Sequence, residues 1–530
     1  MSARAAFSSE LMRQSFAADL LVHGLAACPD RNALQLPDGQ ALTSRQLADL
    51  TSRYVQALER LDFAPGARIG ILSRNRAELI PILNALMLLD LCTVPLHPMG
   101  AVADFVFVAD DAQLDCLIFD PTHFEEAAEG IAAKAANRQL RFLSIGSSLF
   151  GEDLVAAVAP FEPRDLVAPE VSPESITRMA YSGGTTGRPK GIQLSQRALV
   201  TTYQIQMSEW EWPEQVRTLL CAPISHSGSA LLILTLLRGG LLVTLDGFDP
   251  DVAMQKIEQF RITCTLMVPT MIYAMLDHPN FDKYDLSSLE TIFYGAAPMA
   301  PERLREGISR LGTVFFQFYG QSEAPMSVCV MRKGEHDPSN TERLMSCGRP
   351  VPQIRIALMD DEGRPVEDGR PGEICVRGPL LMSGYANQPE LTQEAFEGNW
   401  LHTGDIAVRD PDGFYRIVDR KKDMIITGGF NVYPSEIEHV LRTHSDVLDA
   451  CVVGLPDSKW GEVVAAAVVC AGKLVPDNNV LQQLVRKAKG PHQVPKKIFY
   501  VDRIPLSPLG KPDKRAAREM LLGMDASISI

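Results

Sequence analysis

The sequence predicts an α/β protein: a large N-terminal domain of mixed α/β layers with a small β-subdomain, followed by a small α+β C-terminal domain. Three observations carry this. At 530 residues the chain exceeds one ordinary core, so two or more domains are expected. Short apolar runs alternate with helix-period stretches from Thr43 to Phe318. From about Arg349 the runs shorten and Gly-rich turns separate them. The dense charge run Asp419-Arg-Lys-Lys-Asp423 marks the boundary, giving domains at 1–420 and 421–530.

Residues 42–61 read as an amphipathic helix. Thr43 and Gln46 make a capping box, and Leu47, Leu50, Tyr54, Leu58 and Leu61 form one stripe. Arg68–Leu72 is a strand, and Asn75 with Glu78 is expected to cap a helix running to about Leu91. Leu117–Phe119 and Phe142–Ile145 continue the alternation. Strands follow at Thr218–Ala222, Leu241–Leu245, Ile262–Val268, Thr291–Tyr294 and Thr313–Phe318, with helices at Ala230–Leu237 and Val252–Phe260. Pro301 suits the first turn of a helix. Strands at Gln353–Met359 and Glu373–Arg377 form the β-subdomain. A strand at Met424–Thr427, a helix at Pro434–Arg442, and the stretches Val452–Leu455, Val463–Cys470, Val480–Ala488 and Ile498–Val501 make up the last domain.

Composition excludes several classes. Lys and Arg total 51 against 65 Asp and Glu, a net charge of −14, which opposes nonspecific nucleic-acid binding. Residues 421–530 carry 15 Lys/Arg and 12 Asp/Glu, a mild excess that suits an anionic partner or a solvated surface equally. The ten cysteines lie far apart, with no C-x-x-C pair, and read as buried thiols in a reducing compartment. The first 20 residues include Arg4, Glu10, Arg13 and Asp19 and no apolar core of a signal peptide. The greasiest stretch, Leu219–Leu245, is interrupted by Pro223, His226, Arg238, Gly239 and Gly240, so no transmembrane segment is expected. A cytoplasmic protein follows; a homodimer is compatible with the sequence but not selected by it.

The stretch Tyr181-Ser-Gly-Gly-Thr-Thr-Gly-Arg-Pro-Lys-Gly-Ile192 carries the chemistry. Its glycines expose backbone N–H groups, Thr185 and Thr186 add hydroxyls, and Arg188 and Lys190 add charge, so it can hold a polyphosphate. It is not a Walker A loop, because Arg188 or Pro189 stands where that motif needs glycine. Two later strands run into Gly295-Ala-Ala-Pro298 and Tyr319-Gly-Gln-Ser-Glu323, and ligands of open α/β sheets bind beyond the carboxyl ends of strands.

The phosphate stretch closely resembles that of the adenylate-forming family, and further motifs follow in the family's order. Glu373, in Gly372-Glu373, with Gly378 and Gly384-Tyr385, resembles a structural element. Thr403-Gly404-Asp405 resembles the T-G-D element, and Pro505-Leu-Ser-Pro-Leu-Gly-Lys511 the final motif, with Leu506 and Ser507 departing from common usage. Thr93-Val-Pro-Leu-His-Pro98 matches only loosely.

This resemblance implies the site. Thr185, Thr186, Gly187 and Lys190 would hold phosphates. Gly295, Ala296, Ala297 and Pro298 would lie beside adenine, with Tyr319 stacked on it. Gly320, Gln321 and Ser322 complete that loop, with the Ser322 hydroxyl on the α-phosphate. Glu323 would bind Mg²⁺, which accepts one or two carboxylates plus phosphate oxygens. Asp405 would hold the ribose, with Arg420 near it. Lys511 would be the catalytic lysine, acting with Glu323, Thr186 and His226. Lys422 would be the hinge of a mobile C-terminal domain, and Gly428, Gly429 and Phe430 would approach CoA. His226, Ser227, Gly228, Gly295, Gly320 and Met326 would line the acyl pocket.

The implied function is an ATP-dependent carboxylic acid–CoA ligase using ATP, Mg²⁺ and CoA. Residues 221–237 contain no Asp or Glu to pair an α-ammonium, so a hydrophobic fatty, aryl or alicyclic acid is expected rather than an amino acid. Gly228 and Gly320 are read as leaving room for its chain or ring. A carrier-protein ligase, a luciferase-like oxidase and a non-catalytic acyl-CoA or nucleotide sensor are the alternatives. Retention of Lys511 and Glu323 weighs against the last.

Overall fold

The structure, a computed structural model, describes residues 14–137, 139–182, 189–427, 430–457, 460–472, 474–506 and 512–528. Its contacts divide into two compact units: 1–355 with 377–401, and 356–376 with 402–530. The strands of the β-subdomain thus group largely with the C-terminal residues.

The first unit is built on two sheets. One runs in the order 384–385, 190–195, 176–182, 92–95, 68–72, 116–119, 141–144 and 152–153. Its central strands pair in parallel, with Ile69 opposite both Thr93 and Cys116. The other runs 349–350, 329–331, 315–319, 291–295, 264–267, 217–220, 241–244, 32–35 and 41–43. Its centre is parallel too, and Cys264–Met267, Thr291–Gly295 and Phe315–Tyr319 are buried along their whole length. Continuous apolar strands of this kind belong to a sheet covered on both faces.

Most helices begin where local chemistry says they should. The Thr43 capping box forms: Gln46 N–H donates to Thr43 Oγ1 at 3.2 Å, and Thr43 N–H to Gln46 Oε1 at 2.8 Å. The helix is Ser44–Glu59, inside the expected 42–61. Pro301 opens the helix Pro301–Leu311. The expected helix Ala230–Leu237 is a tight 3₁₀ turn, Ser227–Leu231, followed by an α-helix, Leu232–Leu237.

Asn75 departs from expectation. The helix after it is Leu79–Leu88, and Asn75 does not cap it. The buried Asn75 amide donates to Leu220 O at 3.1 Å and Ala222 O at 2.9 Å, and its oxygen accepts from Ile224 N–H at 2.7 Å. Glu78 pairs instead with Arg76. Three long-range bonds that leave no buried donor unpaired outweigh one local cap.

In the second unit, strands 355–359, 372–377, 401–409 and 415–420 make one sheet. The other has the order 430–432, 425–427, 461–470 and 447–457, with 497–500 parallel beside 461–470. Along Gly461–Cys470 the inward side chains alternate. Val464, Ala466 and Val468 pack with Ile437, Leu441 and Leu481, while Val463, Ala465 and Ala467 pack with Phe499 and Leu521. Two cores on opposite faces explain why this strand is apolar from Val463 to Cys470.

Candidate active site

In the first unit the two ends of the 181–192 stretch belong to paired strands. Ile176–Ser182 pairs antiparallel with Lys190–Ser195, and Ser182 faces Lys190. Thr185, Thr186 and Gly187 lie outside the described residues. The first of these strands is anchored: Tyr181 OH donates to Asp111 Oδ2 at 2.6 Å. On the far side, Gly384–Tyr385 pairs with Ile192 and Gln193. This pairing puts the half-buried Lys190 ammonium 5.1 Å from the centroid of the Tyr385 ring, a cation–π distance.

Tyr385 reaches a second predicted site residue. Its hydroxyl donates to Glu323 Oε1 at 2.9 Å. Burial, then the Glu323 charge, pushes the Tyr385 pKa well up, so the phenol remains a donor. Glu323 sits just past the strand Phe315–Tyr319, and its carbonyl accepts from Met382 N–H at 2.9 Å. Among the described residues no Lys or Arg pairs with its carboxylate. A half-buried carboxylate with one oxygen held and no cation partner of its own suits a hard divalent ion.

Around it, Gly295 lies opposite Phe318 in parallel register, which sets the 295–298 and 319–323 loops side by side. Tyr319 is buried, Gln321 half-buried and Ser322 exposed; Ala297 is half-buried, and Ala296 and Pro298 are exposed. Ala296 (φ 64°) and Met326 (φ 55°) both occupy the left-handed region, which costs a non-glycine residue energy and clusters at functional loops. The glycines do not leave open space. A Cβ at Gly228 would lie 2.3 Å from Ala222 O, at Gly295 2.3 Å from Phe318 O, and at Gly320 2.4 Å from Met326 N. Their smallness is used by close backbone approach, which corrects the reading of Gly228 and Gly320 as room for substrate.

His226 is held from three sides. Its Nδ1 lies 3.0 Å from Ser225 Oγ, and its ring meets His97 edge-on at 4.5 Å. Burial, then His97 and Arg178, lowers its pKa to about 3, so the imidazole is neutral near pH 7. Arg178 donates to Ser229 Oγ at 3.0 Å and to Ser225 O at 2.8 Å, clamping the loop that carries His226 and Ser227. Arg178, Asn75 and His97 were not among the expected site residues. A lone arginine inside the apolar run Ile176–Ala180 was the signal that could have found the first.

In the second unit Asp405 lies opposite Arg420 in register, with Arg420 Nε 3.3 Å from Asp405 Oδ1. The turn that presents Asp405 is braced. Thr403 Oγ1 donates to Ile374 O at 2.7 Å, and Gly404 (φ 71°) donates its N–H to Glu373 Oε1 at 2.9 Å. Burial opposes the Glu373 charge, but His402, Lys421 and the Gly404 N–H outweigh it and hold the carboxyl below its ordinary range. Lys422 is exposed on the short turn Lys421–Asp423. Phe430 is half-exposed and stacks on His492 at 4.1 Å. Gly428, Gly429 and Lys511 lie outside the described residues. The ends of the Lys511 segment are tied by the bridge between Leu506 and Pro512 and by Asp513 N–H donating to Pro505 O at 2.8 Å.

A two-sheet α/β unit ending in nucleotide-type loops, followed by a small α+β unit, defines a nucleotide-using enzyme of the adenylate-forming type. Residues 22–386 match the model of the AMP-binding enzyme family, and residues 436–511 that of the AMP-binding enzyme C-terminal domain. The chain is 45% identical over 525 residues to a medium/long-chain-fatty-acid–CoA ligase, FadD8, of Mycobacterium tuberculosis, covering 96% of this chain and 91% of that one. It is 34% identical to a feruloyl-CoA synthase of Amycolatopsis, covering 92% and 97%. Among solved structures, the amide bond synthetase McbA from Marinactinospora thermotolerans superimposes with a TM-score of 0.86 at 32% identity, covering 96% of this chain and 100% of that one. The chain belongs to the AMP-binding enzyme family.

Proposed function

We propose that this enzyme is an ATP-dependent carboxylic acid–CoA ligase acting on a hydrophobic fatty, aryl or alicyclic acid. It forms an acyl-adenylate with release of pyrophosphate, then transfers the acyl group to the CoA thiol with release of AMP. The observation that carries this is the run of family motifs in the family's order, in a chain similar to CoA ligases of a fatty and an aryl acid. Adenylation is needed because oxide is too poor a leaving group for direct attack by a thiol.

Catalysis here is positioning and charge stabilisation. The 181–192 stretch holds the terminal phosphates, with Lys190 oriented by the Tyr385 ring. Tyr385 fixes one Glu323 oxygen, leaving the other for Mg²⁺, which when bound would neutralise phosphate charge. Asp405 accepts from the ribose hydroxyls, and Glu373 and Thr403 keep its turn in place. The Lys511 ammonium stabilises charge at the α-phosphate as the substrate carboxylate attacks. Neutral His226, clamped by Arg178, adds no charge to the acyl pocket that it lines with Ser227 and Met326. Residues 421–530 move about Lys422 between half-reactions, bringing Phe430 and its glycines to the thiol. Ten free cysteines suit a cytoplasmic enzyme.

The test is pyrophosphate and AMP release from a panel of acids, with and without CoA. Fatty or aryl acids should give CoA-dependent AMP release. Best turnover on acetate or a free amino acid would overturn the acid class, and AMP release indifferent to CoA would overturn the acceptor.

A further inference from the structure

Cys375, His402 and Glu373 meet beneath the turn that presents Asp405. Glu373 and Cys375 are two residues apart on the strand Gly372–Arg377, so their side chains leave the same face, and His402 comes from the neighbouring strand Leu401–Arg409. His402 Nδ1 lies 3.0 Å from Glu373 Oε2 and 3.5 Å from Cys375 Sγ, and all three atoms lie within 4.8 Å of one another. Glu373 and Cys375 are buried, while the His402 side chain is 22% exposed and opens a route from solvent. Among the described residues no other His, Cys, Asp and Glu side chains converge in this way.

We propose that Cys375 Sγ, His402 Nδ1 and a Glu373 oxygen form a binding site for a soft divalent cation of the zinc class. The donor set is the first argument: thiolate, imidazole and carboxylate together select zinc or cobalt over magnesium or calcium. Spacing is the second. Zinc bonds of about 2.0 Å to nitrogen and about 2.3 Å to sulfur, at tetrahedral angles, set N and S about 3.5 Å apart and N and O about 3.3 Å apart. The two distances from His402 Nδ1 need shifts of only a few tenths of an ångström, across adjacent strands of one sheet, and Cys375 Sγ lies within 4.8 Å of the Glu373 oxygen. Charge is the third. A cation already sits at this carboxylate, since Lys421 Nζ lies 3.1 Å from Glu373 Oε2. The same ammonium lies 3.2 Å from Asp361 Oδ1 and its side chain is 42% exposed, so it can keep Asp361 and yield Glu373. Binding sends the thiol proton to solvent, and water fills the fourth position.

An ion there bears on the nucleotide turn. Glu373 Oε1 accepts the Gly404 N–H, so metal on Oε2 acts directly on the mount of Asp405. It also releases Lys421, next to Lys422, from the strand that anchors it.

The experiment is titration of the untagged, metal-free full chain with Co²⁺ alone, recording thiolate-to-cobalt charge-transfer absorption. The wild type should give a band that saturates at one cobalt per chain and is displaced by Zn²⁺. Cys375→Ser and Cys375→Ala should abolish it, and His402→Gln should weaken cobalt affinity roughly tenfold or more. Metal-free melting curves check that each variant is folded. No band in the wild type overturns the site, as does a band kept in both Cys375 variants or an affinity unmoved by His402→Gln.

Discussion

Two residues show how much a single side chain carries. Tyr385 touches both Lys190 and Glu323, through its ring and its hydroxyl. Removing only the hydroxyl, in Tyr385→Phe, leaves the ring beside Lys190 but frees Glu323 Oε1. A hydrogen bond to a charged group is worth about 1.5–3 kcal/mol. The variant should therefore lose roughly tenfold or more in kcat/KM for ATP in the adenylation half-reaction, with the melting temperature nearly unchanged. Wild-type use of ATP would mean that Tyr385 does not orient Glu323. Lys511 is the other case. Lys511→Ala should slow adenylation by about 10²–10³, the usual cost of one preorganised charge contact, and should spare thioester formation from a supplied acyl-adenylate. An unchanged rate of acyl-adenylate formation would remove Lys511 from catalysis.

At the scale of the element, the short turn Lys421–Asp423 matters most. It joins Tyr415–Arg420 to Ile425–Thr427 and is closed by Met424 N–H donating to Arg420 O at 3.1 Å. Lys422 is exposed there, so a change at this position disturbs no core. Proline fixes φ and resists the backbone rotation required of a hinge. Lys422→Pro should keep adenylation and lose most CoA thioester formation. If both half-reactions fell together, the hinge would lie elsewhere. The segment Ser225–Ser229 teaches a related lesson. Its shape comes from Asn75, Arg178 and a glycine that only backbone contact explains, all of them outside the apolar pattern of the segment itself.

For the whole molecule, buried neutral histidines contribute to the response to acid alongside carboxylates such as Glu373. His336 is buried at the edge of the large core, with Tyr294 OH donating to Nε2 at 2.9 Å and Nδ1 bonded to Arg332 O at 2.8 Å. Burial lowers its pKa to about 4, against 6.5 when unperturbed. A depressed folded pKa favours the neutral form in the folded state. The stabilisation is therefore complete above about pH 6.5 and is lost as pH falls towards 4. Its full size is on the order of 3 kcal/mol; His226, lowered to about 3, adds a loss that also begins below about pH 6.5 and continues to about pH 3. Denaturant melts at pH 7 and pH 4.5 should show this loss, and His336→Gln should reduce it. A variant with the same pH slope as wild type would remove His336 from the acid response.

The sequence by itself determined the layered α/β class, the Thr43 cap, the approximate positions of about half the strands and the order of the motifs. These depend on periodicity, on turn residues and on short contiguous patterns, all of which are local. What only the tertiary structure decided is which groups meet across long separations. Asn75 looked like a cap because the Leu220–Ile224 backbone it satisfies is about 145 residues away. Tyr385 looked structural because its partners, Lys190 and Glu323, belong to other motifs. Gly228 looked like room for a ligand because a one-dimensional reading cannot tell empty space from a neighbouring carbonyl. Cys375 and His402 share no spacing in the chain, and only neighbouring strands bring their side chains together. Burial and strand register make such encounters, and neither is written in any one segment.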